Sequence, residues 1–287
     1  MKIVSVMLGV SLSLATAVPA EPPQIENVVL ESNTLEGPLS SRVSTWSETT
    51  GEPSWLGWHV PMVTGDTTLC CWSRGDRHSQ DRACALESSH RHSVYSSGQR
   101  RMPLDSDNLV VLLRAENGRL EEMRVYSEGC RLDAGGKSVT WLEGVEPEES
   151  ARLLSQWIAG GSVVKDESLM ALALHATPLA ANRVAQIAQQ SPDAELRGEA
   201  LFWLALSGAV TAPDIILQAV NQDADSEVQE EAIFALSQLA DGQGMPWLLT
   251  ILQDPSRPSE VREEAFFWFV QSGDDEALDL IAEILGN

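Results

Sequence analysis

Three segments in the C-terminal half of the chain repeat one pattern. They read ELRGEALFWL over residues 195–204, EVQEEAIFAL over 227–236 and EVREEAFFWF over 260–269. Their starts are 32 and then 33 residues apart. A fixed period of this size is typical of stacked helical pairs, each of which buries its apolar side against the next pair. The repeat therefore predicts an α-solenoid for this part of the chain.

Each copy places its apolar residues on one side of a helix. Positions separated by four, five and eight residues share one stripe of a helix with 3.6 residues per turn. The stripe residues are Leu196, Ala200, Leu201 and Leu204, then Val228, Ala232, Ile233 and Leu236, then Val261, Ala265, Phe266 and Phe269. A second helix is expected to cover each stripe, with apolar residues Ile215, Ile216, Ala219 and Val220, then Trp247, Leu248, Ile251 and Leu252, then Leu280, Ile281, Ile284 and Leu285. A weaker copy precedes them at Val164, Leu169, Met170 and Leu172.

Helix ends within the repeat carry their own signals. Ser226 with Gln229 forms the pattern of a capping box, which predicts a helix start at this point. Gly208 and Gly273 are expected to end first helices, because glycine readily adopts the left-handed conformation found there.

The repeat resembles a known family. The segment Glu260-Val261-Arg262-Glu263-Glu264-Ala265, followed by Asp275-Glu276-Ala277-Leu278, is similar to the HEAT repeats of bacterial proteins. The resemblance extends from about residue 162 to residue 285 and implies an α-solenoid that binds other proteins rather than a catalyst. Gln229 stands where the family pattern has arginine, and the degenerate first copy is a candidate end cap, which solenoids need for solubility.

Residues 43–143 show a different pattern, with short runs of β-branched and aromatic residues between Gly, Pro, Asp and Ser. Asn117-Gly118 lies between two strand-like runs, 108–114 and 119–126, and supplies the positive φ angles of a tight hairpin turn. We expect a small β-rich module whose tryptophans fill its core rather than stack on sugars; they are Trp46, Trp55, Trp58 and Trp72. The predicted fold class is α+β, with this disulfide-stapled module followed by the α-solenoid over residues 144–287.

The N-terminus predicts export. Residues 1–20 combine Lys2, an apolar run and the small-x-small site Val18-Pro19-Ala20, which is typical of a secretory signal peptide. Residues 21–42 are rich in Pro, Glu, Ser and Asn and predict a flexible lead-in. We therefore expect a periplasmic or secreted protein with no membrane span after cleavage, whose partner is another exported or envelope protein. A HEAT-like tail behind such a leader and a Cys-containing β segment is similar to exported bacterial proteins.

The charge of the chain is strongly negative. The formal net charge is −23. From Gly144 onward the chain has 6 basic and 24 acidic residues, a balance of −18. Nucleic acid is therefore not an expected partner, because its phosphates would be repelled.

The four cysteines predict two disulfides in an oxidising compartment; they are Cys70, Cys71, Cys84 and Cys130. Three pairings are possible, and a hairpin over residues 73–80 would favour Cys70–Cys84 and Cys71–Cys130. The alternative is a metal-binding or enzyme-accessory protein with a Cys/His site in residues 70–92, using His78, His90 or His92. The C-x-x-C spacing of zinc sites is missing, so we expect neither metal nor cofactor.

Motifs for catalysis are missing from the sequence. G-x-S-x-G, H-E-x-x-H and G-x-G-x-x-G do not occur, so we expect no enzyme. Residues 134–138, AGGKS, lack the first glycine of a phosphate-binding loop and predict a turn between strands. Asn221-x-Asp223-x-Asp225 lacks the glycine and glutamate of a calcium loop and predicts an acidic loop between repeats.

One set of residues is a candidate binding site. Phe202, Phe234 and Phe267 repeat at one position that lies nearly opposite the buried stripe. They are either contacts between repeats or an aromatic ladder that binds a partner, flanked by Glu199, Glu231 and Glu264.

Overall fold

The computed structural model describes residues 22–63, 69–70, 83–88 and 108–271. Its strands are β1 Ile25–Glu26, β2 Val29–Thr34, β3 Ser54–Pro61, β4 Cys84–Ala85, β5 Asn108–Glu116, β6 Arg119–Ser127, β7 Leu132–Asp133 and β8 Ser138–Glu143. Its helices are α1 Leu39–Thr49, α2 Pro147–Ala159, α3 Lys165–Leu174, α4 Pro178–Gln190, α5 Ala194–Leu206, α6 Ala212–Gln222, α7 Ser226–Ser237, α8 Met245–Gln253 and α9 Ser259–Gln271. Strands thus precede a run of helices, and the predicted α+β fold class is confirmed. The predictions for the leader, Cys71, Trp72, His78, His90, His92, Gly273 and the apolar residues 280–285 lie outside the described residues.

The main sheet has five strands in the order β2-β8-β3-β5-β6. Strands β5 and β6 are antiparallel neighbours joined by Asn117 and Gly118, whose φ angles are 51° and 74°. These positive angles match the right-handed twist of a hairpin, so the predicted turn is confirmed. Gly135 and Gly136 also have positive φ angles and form the predicted turn between β7 and β8.

The central strands β3 and β5 are buried on both faces of the sheet. Leu56, Trp58 and Val60 of β3 face the helices, while Trp55 on the same strand faces a small second sheet of order β1-β7-β4. Side chains alternate between the two faces because successive residues of a strand point in opposite directions. Trp46, Trp55 and Trp58 are all buried, as predicted for core residues.

Residues 22–42, predicted as a flexible lead-in, contain strands β1 and β2 and the start of α1. Strand β2 pairs in parallel with β8 over its whole length, from Val29 opposite Ser138 to Thr34 opposite Glu143. All six residues of β2 are exposed, so backbone pairing rather than apolar burial holds this strand in place. Its composition therefore resembles that of a disordered segment. Leu39 is fully buried at the start of α1.

The cysteine pairing also differs from the prediction. Cys70 is bonded to Cys130, with 5.5 Å between the two Cα atoms, and not to Cys84. Leu69 hydrogen-bonds to Ser127 at the end of β6, which places Cys70 beside the turn that carries Cys130. Cys84 lies in β4 beside β7 and is disulfide-bonded as well. The predicted hairpin loop over residues 73–80 lies outside the described residues.

The helices stack as the repeat predicts. The first helices α5, α7 and α9 begin at Ala194, Ser226 and Ser259, which preserves the spacing of the sequence repeat. Most of the predicted stripe is buried, but Phe266 is exposed and Leu196 only partly buried. Among the predicted covering residues within the described ranges, Trp247 is exposed and Leu252 partly buried. One apolar core extends from the sheet through α2 and α3 into these repeats.

The predicted capping box is wrong. The residue that caps α7 is Asp225, whose carboxylate accepts a hydrogen bond of 2.9 Å from the amide of Glu227. The Gln229 side chain instead donates to the carbonyl of Asp223, at 2.7 Å. Aspartate is a strong N-cap, and it precedes Ser226 by one residue. Gly208, with a φ of 66°, follows the end of α5 as predicted.

Candidate functional site: an acidic-aromatic face on the first helices

A regular array lies across the first helices of three repeats. Each helix carries glutamate, glutamate and phenylalanine at positions i, i+4 and i+7, which share one side of a helix. We call this array the acidic-aromatic face; its residues are Glu195, Glu199 and Phe202 on α5, Glu227, Glu231 and Phe234 on α7, and Glu260, Glu264 and Phe267 on α9. The sequence reasoning identified six of these nine residues but missed the row Glu195, Glu227 and Glu260, although the i, i+4 spacing is visible in the repeat.

The aromatic rings connect neighbouring repeats. Phe202 and Phe234 stack with their centroids 5.5 Å apart and their planes 4° apart. Phe234 also packs on Trp268, at 4.4 Å, and Trp268 meets the edge of Phe267, at 4.9 Å. Phe202 and Phe234 thus lie in an inter-repeat contact, and both are half-buried, whereas Phe267 is 48 % exposed.

The second row of glutamates is held close to these rings. The indole of Trp203 donates a hydrogen bond of 3.2 Å to Glu199, and Trp268 donates one to Glu264. Each bond joins residues four apart on one helix, so α5 and α9 share the same pairing. On α7 the residue four positions after Glu231 is Ala235, which offers no indole donor.

Glycine at position 198 brings Glu231 against the neighbouring helix. A Cβ atom built on Gly198 would lie 1.2 Å from Oε2 of Glu231. The carboxylate therefore occupies the space that any other side chain on α5 would need. This close approach crosses the junction between two repeats.

Burial and like charges act on the second row of glutamates. Burial raises the pKa of Glu199 to about 7, against the opposing effects of the Trp203 hydrogen bond and the charge of Lys165. Burial also raises the pKa of Glu231, with the charge of Glu195 adding to the effect. A low-polarity surrounding and a neighbouring carboxylate both disfavour the ionised form of each group.

The arginines of these helices form a separate row. Arg197 and Arg262 lie two residues after the first glutamate of their copies, a position that Gln229 occupies on α7. Arg197 forms two hydrogen bonds, of 2.9 and 2.8 Å, with Asp223 in the loop before α7. This pair lowers the pKa of Asp223 and holds residues 223–225 as a short loop between repeats, whereas Asn221 of the predicted acidic loop lies in α6.

A buried polar network joins the sheet to the helices and was missed by the sequence reasoning. The indole of Trp58 donates to Oγ of Ser150 at 3.0 Å, and Ser150 lies 2.9 Å from Nε2 of His175. The other ring nitrogen of His175 lies 2.6 Å from the carbonyl of Ala171, so it carries the proton and Nε2 accepts from Ser150. Burial lowers the pKa of His175 to about 4.

This Ser–His pair is a structural contact. Ser150 is 0 % and His175 1 % exposed, so substrate has no path to either residue. The backbone reinforces the junction, because the amide of Val63 donates to Leu174 and that of Ala176 donates to Pro61, both at 2.9 Å. The network fixes the end of β3 to the connection between α3 and α4.

A polar cleft of about 350 Å³ lies between the sheet and the turn before α3, lined in part by Arg114, Arg124 and Glu122. Its two arginines are already paired. Arg114 lies 3.3 Å from Glu87, and Arg124 lies 2.9 Å from Glu122. The cleft therefore offers no unpaired cation to an anionic ligand among its described lining residues.

The described ranges contain neither a cluster of metal ligands nor a helix that could span a membrane. Those ranges hold no group of three or more His, Cys, Asp or Glu that could bind a metal ion. Because Cys70 and Cys130 share a disulfide, neither offers a thiolate ligand. None of the described helices is long and apolar enough to cross a membrane.

Comparison with known proteins supports the assignment of the repeat. No curated protein matches the chain. The family model of HEAT repeats matches residues 181–267 and, in a second overlapping match, residues 213–287. Together these matches cover the three strong copies of the repeat and the face that they carry. The C-terminal helical part of this chain, from residue 181 to residue 287, is thus similar to HEAT repeats.

Proposed function

We propose that this protein is an exported, non-catalytic scaffold that binds another exported or envelope protein through its acidic-aromatic face. The observation that carries the proposal is the array itself, in which three stacked helices repeat glutamate, glutamate and phenylalanine on one side. HEAT-repeat solenoids present such continuous surfaces because each repeat contacts only its neighbours.

The composition of the face supports binding rather than packing alone. Phe267 is 48 % exposed at one end of the array, and exposed aromatic rings are common anchors at protein interfaces. Carboxylates lie beside this exposed ring, which favours a polar rim around an apolar anchor. A partner that covers Phe267 would bury apolar surface.

The export part of the proposal has separate support. A disulfide such as Cys70–Cys130 is typical of oxidising compartments. The predicted leader over residues 1–20 agrees with this compartment. The metal-site alternative gains no support from the described residues, because Cys70, Cys84 and Cys130 are disulfide-bonded.

Site-specific photocrosslinking in cells tests the proposal. A photoreactive amino acid at Phe267 should give one dominant adduct with an exported protein, identified by mass spectrometry. The matched control is the same amino acid at Val210, which is 96 % exposed on the turn between α5 and α6. The same set of adducts at both positions, or none at position 267, would contradict the proposal.

A further inference from the structure

We propose that the acidic-aromatic face binds a basic, extended segment of the partner protein, with arginine or lysine side chains between the glutamate rows and against the exposed ring of Phe267. This inference rests on the proposed function, because it names the chemistry of the partner at the same face. Four features of the structure support it.

The first feature is unbalanced charge within the array. Glu195 and Glu199 are one turn apart, and so are Glu227 and Glu231; like charges at this spacing destabilise a helix. Glu231 also lies against α5 at Gly198, close enough to Glu195 for that carboxylate to raise its pKa. A cation supplied by a partner would offset this repulsion at Glu231, because the charges that act on its pKa are those of carboxylates.

The second feature is the aromatic row beside the carboxylates. Each phenylalanine lies three residues after a glutamate, as Phe234 does after Glu231, so the ring and the carboxylate are neighbours on the helix surface. The ring of Phe234 already packs against Phe202 and Trp268. At the end of the array, a guanidinium that pairs with Glu264 can also contact the ring of Phe267, which is 48 % exposed. Such cation–π contacts favour a bound arginine even at exposed sites.

The third feature is a precedent in the same molecule. Arg124 lies 5.9 Å from the centroid of the Trp55 ring and pairs with Glu122 at 2.9 Å. The sheet thus already places one arginine between an aromatic ring and a glutamate. The acidic-aromatic face repeats the ring and the carboxylate three times without an arginine among its nine residues.

The fourth feature is spacing. Adjacent packed helices lie roughly 8–10 Å apart. An extended segment advances about 3.1 Å per residue in the polyproline conformation, so residues three positions apart match the helix spacing. A segment with a basic residue at every third position would therefore meet each column of the array in turn. Nucleic acid and a second copy of this chain fit less well, because both carry strong negative charge.

Peptide binding tests the inference. The probe is a fluorescein-labelled peptide with arginine at every third position among glycine and serine, and its glutamate counterpart is the negative control. Fluorescence anisotropy with the full-length protein at about 0.15 M salt, where long-range attraction is largely screened, should detect binding of the arginine peptide only.

Matched charge variants locate the site. Glu199→Gln with Glu231→Gln should weaken peptide binding by about tenfold. The control pair, Glu36→Gln with Glu52→Gln, makes the same two substitutions in exposed loops of the strand-rich part and should change binding less than about twofold. The test variants should fold, because glutamine has a helix propensity close to that of glutamate and its amide oxygen can still accept the hydrogen bond from Trp203.

Two outcomes would overturn the inference. One is equal weakening by both variant pairs, which would mean attraction to net charge alone. The other is no binding of the arginine peptide by the unmodified protein. If photocrosslinking at Phe267 still captured one specific protein in either case, the proposed scaffold function would stand and only the basic-segment inference would fail.

Discussion

Replacement of Ser150 by alanine should destabilise the protein more than its small size suggests. The hydroxyl of Ser150 accepts from the indole of Trp58 at 3.0 Å and donates to His175 at 2.9 Å. Its loss leaves one buried donor and one buried acceptor without a partner. Each such group costs about 1–3 kcal/mol, so we expect the free energy of unfolding to fall by roughly 2–6 kcal/mol.

The assay is equilibrium unfolding in urea, followed by tryptophan fluorescence. The matched control is Ser155→Ala on the same helix, because the Ser155 hydroxyl donates to the carbonyl of Ala151 one turn earlier and is partly exposed. We expect that control to change the free energy of unfolding by less than about 0.5 kcal/mol. Equal effects of the two substitutions would refute the view that Ser150 holds the sheet against the helices.

Three further predictions concern the titration of His175, the titration of Glu199 and a substitution at Gly198. Burial lowers the pKa of His175 to about 4, so between pH 6.5 and pH 4 the histidine binds a proton in the unfolded chain but not in the folded protein. As the pH falls through this window, the free energy of unfolding should decrease by about 3 kcal/mol, and above pH 6.5 it should be constant. His175→Gln should reduce this slope in urea titrations at several pH values, and an unchanged slope would exclude the histidine. The pKa of Glu199 is raised to about 7, which makes the folded state more stable at low pH, so Glu199→Gln should raise the free energy of unfolding by about 1–2 kcal/mol at pH 8 and by nearly nothing at pH 4. No gain at pH 8 in the same urea assay would contradict the burial of this carboxylate. Gly198→Ala should displace the Glu231 carboxylate without lowering the melting temperature, since alanine favours helix by about 1 kcal/mol, and should weaken binding of the arginine peptide several-fold. Unaltered affinity would show that the position of Glu231 is unimportant.

The parts of the fold that could be predicted are those set by local sequence. The helix pairs follow from a period of 32 or 33 residues, and the hairpin follows from Asn117-Gly118. In both cases the partners in the structure are near one another in the chain. Periodicity and turn chemistry therefore contained the answer.

The parts that could not be predicted depend on distant residues. Strand β2 is ordered by β8, more than a hundred residues later, and its own side chains bury nothing that a hydropathy pattern could reveal. Cys70 meets Cys130 because Leu69 pairs with the end of β6, a contact with no local signal. The contact between Ser150 and His175 has no signal in the local sequence, because it forms only where the sheet packs against the helices.

The candidate site was partly predictable. Phe202 and Phe234 were recognised from their repeated position, and their stacking could be anticipated as a contact between repeats. The contact between Trp268 and Phe234 could not be predicted, because the sequence repeat aligns Phe234 with Phe267. The residue of α7 that aligns with Trp268 is Ala235. The alignment of the three repeat copies does not specify which aromatic rings of neighbouring helices are in contact.

The shared core that runs from Trp58 to the first repeats has a consequence for how the molecule can be divided. Division of the chain after residue 143 would remove the helices that cover one face of the sheet and would expose Trp58 to water. Neither fragment should therefore fold when it is expressed alone. The strands and the helices share one set of buried side chains, so we expect them to unfold in a single transition rather than one after the other.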